Sequence, residues 1–179
     1  ADFNTRLASV PVLHIQRCTS WLQGLQPQEG LLQVGYLVVN TKLPVNSVQD
    51  LISLAKYRPG QMDFGSFGNG TSNHLSGELL KMAAGIDVVH VPYGKAPQAV
   101  ADLIAGEVDF AFVNTPLALP HVKAGKLRAL AVTGARRSPS TPEYPTMEEA
   151  GVSGFVVESW YGLMAPAGTP KEIIARVRK

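Results

Sequence analysis

Asp63-Phe64-Gly65-Ser66-Phe67-Gly68-Asn69-Gly70-Thr71-Ser72-Asn73-His74 is the stretch where glycines and small hydroxyl side chains concentrate, between a short apolar run and an amphipathic pattern. It predicts a strand, a tight turn and a helix from about Thr71 to Ala84, with Leu75, Leu79, Leu80 and Ala83 on one face and Gly85 at a left-handed cap. The first N–H groups of such a helix have no intrahelical partner and carry the positive end of its dipole. A carboxylate or phosphate can satisfy them. Gly65, Gly68 and Gly70 remove Cβ atoms that would hold a ligand off the backbone, and Ser66, Thr71 and Ser72 add hydroxyls able to donate to an anion. Two readings fit the stretch: an anion cradle, or an ordinary Gly-rich loop capped by Thr71 or Ser72.

Working outward, strand and helix patterns alternate. Residues 31–40, dense in β-branched and aromatic side chains, predict a buried strand, and Ser47 caps a helix with Val48, Leu51, Ile52, Leu54 and Ala55 at helical spacing, closed by Pro59-Gly60. Further strands are expected at 61–66, 86–91, 108–113, with Phe110 and Phe112 on one side, and 127–133. Helices are expected at 96–105, ending at Gly106, and at 116–124, opened by Pro116 and stopped by Gly125. Beyond a polar, proline-rich loop at 134–144 come a short helix at 146–150, a long strand at 155–165 carrying Trp160 and Tyr161, and a final helix at 171–179 behind the cap at 166–170. Residues 1–30 are barely legible, with a loop at 23–30. This alternation predicts an α/β fold with a mostly parallel sheet and helices on both faces. Ligands of such sheets bind beyond the carboxyl ends of the strands. Loops 65–72, 92–96 and 114–116 meet that description, so one pocket could use all three.

Composition narrows the function classes. The chain of 179 residues is 45% apolar and 17% charged, which is neither disordered nor membranous. No apolar run reaches the roughly 18 residues of a membrane span. Residues 1–30 lack the order of a secretory signal peptide, so the reading expects that segment removed or the protein not exported. A net charge of +2, with Lys123, Lys126, Arg128, Arg136 and Arg137 read as solvated helix and loop ends, argues against nucleic acid. Cys18 stands alone, which excludes an internal disulfide and a cysteine-based metal site.

The four histidines, His14, His74, His90 and His121, show no i, i+4 pair, so surface or core packing is expected and no metal. A triad of Ser66, His90 and Asp87 or Asp109 is conceivable, but Phe64 stands at the first position of the Gly-x-Ser-x-Gly pattern, and no catalytic residue is assigned. Trp160 and Tyr161 read as packing aromatics, and Lys95 as either a solvated turn or a ligand counter-ion.

Five blocks share an order: Gly-Asn-Gly-Thr-Ser-Asn-His-Leu at 68–75, His-Val-Pro-Tyr at 90–93, the run from Ala118 to Thr133, Pro-Thr-Met-Glu-Glu-Ala-Gly-Val at 145–152, and Ser-Trp-Tyr-Gly-Leu-Met-Ala-Pro-Ala-Gly-Thr-Pro at 159–170. In them the chain resembles the Bug family of extracytoplasmic solute receptors, the binding components of tripartite tricarboxylate transporters. The resemblance covers about residues 34–179. It implies a type II periplasmic-binding-protein-like architecture, a small organic carboxylate in a cleft between two lobes, periplasmic localisation and delivery to membrane permease subunits. It also implies roles for individual residues: Ser66, Gly68, Gly70, Thr71 and Ser72 in the second-lobe cradle, Tyr93 with the backbone near Gly94 and Lys95 as one wall, and Asn114 with Thr115 as another. No cofactor is implied. On this basis residues 1–33 form an atypical N-terminal segment, 34–154 the ligand-binding lobe, and 155–179 a crossover strand and helix of a remnant first lobe. The first-lobe Pro-Gly-Gly-type loop of the family is not found, and Gly94-Lys95 stands where the family commonly has Lys-Gly. Two other functions remain in view: an enzyme using the same helix N-terminus for a phosphate or acyl substrate, and a truncated relative that no longer binds ligand. An apolar lobe edge would also favour self-association.

Overall fold

The computed structural model describes residues 32–160 and 169–177. The expectations for the N-terminal segment, including the loop at 23–30, for 161–168 and for the last two residues lie outside the described residues. Strands β1 (Leu32–Asn40), β2 (Asp63–Ser66), β3 (Val89–Pro92), β4 (Phe110–Asn114), β5 (Leu127–Val132) and β6 (Glu158–Trp160) alternate with helices α1 (Val48–Tyr57), α2 (Ser72–Ala84), α3 (Ala96–Ala105), α4 (Thr115–Lys123) and α5 (Lys171–Val177).

The sheet runs β3-β2-β4-β1-β5, and β6 pairs with the first residues of β1. β2 is parallel to β3 and β4, whereas β1 is antiparallel to β4, β5 and β6. Five strands therefore share one direction, and the reversed strand sits inside the sheet. Pleating divides the side chains of β1 and β4 between two cores. Leu37, Val39, Phe110 and Phe112 face one side with Val48, Leu51, Ile52 and Ala55 of α1 and Leu80 of α2. Tyr36, Val38, Ala111 and Val113 face the other, with Val100 and Leu103 of α3 and Ala118 of α4. Helices thus cover both faces of the sheet.

Local signals placed most boundaries. The Ser47 hydroxyl accepts from the Asp50 N–H as the α1 cap, Thr71 caps α2, and Gly85 and Gly106 close α2 and α3 with positive φ angles of 60° and 93°. Three expectations shift. The strand expected at 86–91 starts at Val89, because the chain before it runs past the α1–β2 corner, with the Gly60 N–H bonded to the Asp87 carbonyl, while Ile86 and Val88 fill the core. The helix expected at 146–150 is a single turn. Thr146 and Glu149 form its reciprocal cap, but Gly151, at φ 92°, ends it at once. The strand expected from 155 begins at Glu158, since buried Phe155 stacks on Phe112 at 5.5 Å instead of joining the ladder.

Candidate functional site

Strand register gathers the three loops. Ser66 pairs with Pro92, Gly65 with Ala111, and Gly35 of β1 with Asn114, so β2, β3 and β4 end at one edge of the sheet. Three helices begin there, with Thr71, Lys95 and Asn114 as their N-caps. Neighbouring strands lie roughly 5 Å apart, so the positive ends of three helix dipoles converge on a short stretch of edge.

The turn from Ser66 to His74 is built from its own polar groups. The Ser66 Oγ accepts from the Gly68 N–H at 3.2 Å and lies 2.6 Å from His90 Nε2. Thr71 donates its hydroxyl to the Gly68 carbonyl at 2.7 Å and accepts from the His74 N–H at 3.4 Å, and the Gly70 N–H donates to His74 Nδ1 at 3.0 Å. Gly68 has a φ of 129° and Gly70 one of 78°, which glycine adopts without strain. A Cβ at Gly70 would meet nothing within 4 Å, so the turn opens outward there. By helix geometry the N–H groups of Ser72 and Asn73 have no acceptor within α2.

The expected site residues fall into distinct positions. Gly68, Thr71 and Ser72 are partly buried on the turn, and Gly70 is exposed. Ser66 is buried, and its hydroxyl supports the turn from beneath. The Tyr93 ring lies over Gly65, next to the turn, where a Cβ would meet it at 3.5 Å. Burial first, and a hydrogen bond to Asp102 second, push its hydroxyl up to about 12, so the phenol stays neutral and turns toward α3. Lys95 is exposed at the start of α3. Asn114 and Thr115 are partly buried where β4 becomes α4.

Sequence reasoning missed Asn73. Its buried amide donates to the Phe112 carbonyl at 2.7 Å and to the Asn114 Oδ1 at 3.4 Å, tying the α2 start to the end of β4. The signal was present: Asn73 lies in helical phase with buried Ser76, Gly77 and Leu80. His74 and His90 stack with ring centroids 4.0 Å apart behind the turn, so they serve it as scaffold.

The Ser66–His90 contact completes only part of a triad. The Asp109 carboxylate accepts from the Asp63 N–H at 3.0 Å, and the Asp87 carboxylate lies against Gly60. Ser66 is buried as well, and neither of the two aspartates considered for a triad is engaged with His90. Burial, and His74 next, hold the His90 imidazole below the usual histidine range. Among the described residues no group of three or more His, Cys, Asp or Glu is placed to hold a metal ion, and no helix is long and apolar enough to cross a membrane.

The model of the tripartite tricarboxylate transporter family receptor matches residues 21–179. The chain belongs to that family. Its relatives include BugT of Bordetella pertussis, 38% identical over 143 residues, which are 80% of this chain and 44% of that protein. A Pseudomonas protein encoded in the tcbD-tcbE intergenic region is 39% identical over 142 residues, 79% of this chain and 42% of that protein. Among solved structures, R. palustris Rpa4515 with adipate is 40% identical with a TM-score of 0.76, covering 82% of this chain and 49% of that one. MatC from Rhodopseudomonas palustris with bound malate is 28% identical with a TM-score of 0.72, covering 82% of this chain and 50% of that one. The chain spans less than half the length of these curated relatives, and the receptor family's α/β fold is present over that span.

Proposed function

We propose that the chain supplies the ligand-binding lobe of a periplasmic solute-binding protein, which captures a small carboxylate-bearing organic anion for a tripartite tricarboxylate transporter. The observation that carries this reading is the convergence of three helix N-termini on the open, glycine-lined turn at the end of β2. Backbone N–H groups of Ser72 and Asn73 would donate to the carboxylate, with the Ser72 hydroxyl beside them, Gly68 and Gly70 opening the turn to the ligand, and Ser66 and Thr71 holding it in shape. Tyr93 and Lys95 would line one side, Asn114 and Thr115 the other. The adipate and malate seen with two relatives support a dicarboxylate as ligand.

In the same reading, residues 34–154 form this lobe and 155–179 return toward the first lobe, as the pairing of β6 with the start of β1 supports. The chain acts as a receptor and not as an enzyme, which the buried Ser66 hydroxyl supports. Its partners are the membrane permease subunits, and sedimentation at two concentrations tests whether two copies also associate.

Calorimetric titration with mono-, di- and tricarboxylates, adipate and malate among them, tests the reading. Saturable heat without turnover is expected for at least one dicarboxylate. Silence across the panel would favour a relative that keeps the lobe without binding, and product formation would favour the enzyme.

A further inference from the structure

Among the described residues, asparagine stands at Asn40, Asn46, Asn69, Asn73 and Asn114, in very different surroundings. Asn40 is buried, with its amide nitrogen on the Leu103 and Ile104 carbonyls at 2.6 and 3.0 Å, and Asn73 is buried on the Phe112 carbonyl. Asn114 is partly buried and precedes β-branched Thr115, and Asn46 is exposed but precedes Ser47, the cap of α1. Asn69 is exposed, lies outside helix and strand, and is followed by a glycine that is exposed as well. A Cβ at Gly70 would meet nothing within 4 Å, so the backbone nitrogen after Asn69 is open to its surroundings. The Gly70 N–H is held by a side chain, His74 Nδ1 at 3.0 Å, rather than by a helix or a strand ladder. With Gly68 before it and Gly70 after it, Asn69 has as much backbone freedom as neighbours can give.

We propose that Asn69 is a site of spontaneous modification, at which the turn gains a carboxylate of its own and loses affinity for a carboxylate ligand. Asparagine is among the labile residue types, and its side-chain carbonyl carbon stands one five-membered ring away from the next backbone nitrogen. The Gly70 nitrogen attacks Asn69 Cγ: the N–Cγ bond forms, the Cγ–Nδ2 bond breaks, and the Gly70 hydrogen leaves with the amide nitrogen as ammonia. Water then opens the cyclic imide at either carbonyl and leaves aspartate or isoaspartate at this position. The new charge lies two residues before the Thr71 cap of α2, where it competes with a bound carboxylate for the positive end of the helix dipole and repels it. Isoaspartate also inserts a carbon into the backbone that aims the Ser72 and Asn73 N–H groups. Both changes weaken anion binding. That loss rests on the turn being the carboxylate site, whereas the chemistry at Asn69 does not.

Incubation of the whole chain for days at physiological temperature and neutral pH, sampled by peptide mapping with mass spectrometry and by adipate calorimetry, tests both halves. Conversion is expected at Asn69 ahead of Asn40, Asn46, Asn73 and Asn114, and the fraction of chains that bind adipate at the starting affinity is expected to fall in step with it. Asn69→Gln, whose longer side chain closes a ring far more slowly, should start at the unmodified affinity and keep it. Asn69→Asp should bind adipate about fivefold more weakly or worse from the start. An Asn69 that converts no faster than the buried asparagines would overturn the proposal, and so would conversion that leaves adipate binding unchanged. Should fresh protein bind no carboxylate, the solute reading fails, and the peptide map alone still decides whether Asn69 is the modified residue.

Discussion

Thr71 acts at the helix start in two directions. Its oxygen accepts from the His74 N–H while its hydroxyl hydrogen reaches the Gly68 carbonyl, so one side chain closes both the helix cap and the turn before it. Valine keeps the shape and removes both bonds. Thr71→Val should lower stability by about 1 kcal/mol, the usual cost of a lost N-cap, and carboxylate affinity by about 1 kcal/mol or more. Thr71→Ser should retain most of both. Urea unfolding and calorimetry on the two variants separate these effects, and unchanged affinity in Thr71→Val would remove Thr71 from the site. His90 gives a residue-scale prediction of different sign logic. Its folded-state pKa lies below the ordinary 6.5, so the unfolded chain takes up its proton first as pH falls. Its contribution to stability is full above about 6.5 and is lost as pH drops through the folded value. The melting temperature should therefore decline between about pH 7 and 5, and less steeply in His90→Gln.

At the scale of elements, α2 lies against β2 through a contact that only glycine permits. A Cβ on Gly77 would come within 2.1 Å of the Phe64 ring, which is itself buried between His90 and Phe110. The ring cannot yield, so Gly77→Ala should push α2 off the sheet and cost about 1–3 kcal/mol as overpacking. Phe64→Leu combined with Gly77→Ala should recover part of that loss in urea unfolding, because the two positions share one space. Elements also divide what a linear reading can reach. Caps such as Ser47, Thr71, Gly85 and Gly106 are written within four residues of where they act, and each stands where its residue type predicts. The single turn at 146–150 carries a true capping pair in Thr146 and Glu149, so its signals were real and only Gly151 limits its length. The turn at 66–74 was legible for the same reason. Its support was not, because the contacts of Asn73 with Phe112 and of Ser66 with His90 join residues far apart in the chain.

The molecule as a whole depends on β1, whose reversed direction no local pattern announces. Its apolar run reads equally well either way along the chain, and pairing with β4, β5 and β6 is fixed by segments that follow much later. Once placed, β1 is bonded on both sides, and Tyr36, Leu37, Val38 and Val39 are buried on both faces. β3 is the opposite case: among the described strands it lies at the sheet edge and pairs with β2 alone, and it leaves Val89 exposed. Opening β1 means separating both halves of the sheet, whereas losing β3 takes only Val91 and the His90 stack on Phe64 away from the two cores. Native-state hydrogen exchange should thus find the amides of Tyr36 to Val39 opening only with global unfolding, and those along β3 exchanging about tenfold faster or more. Equal protection of the two strands would show that β3 is held by contacts beyond its ladder. Since β3 carries His90, early opening there would also free Ser66 and the turn it supports, making that edge of the sheet the first part to loosen.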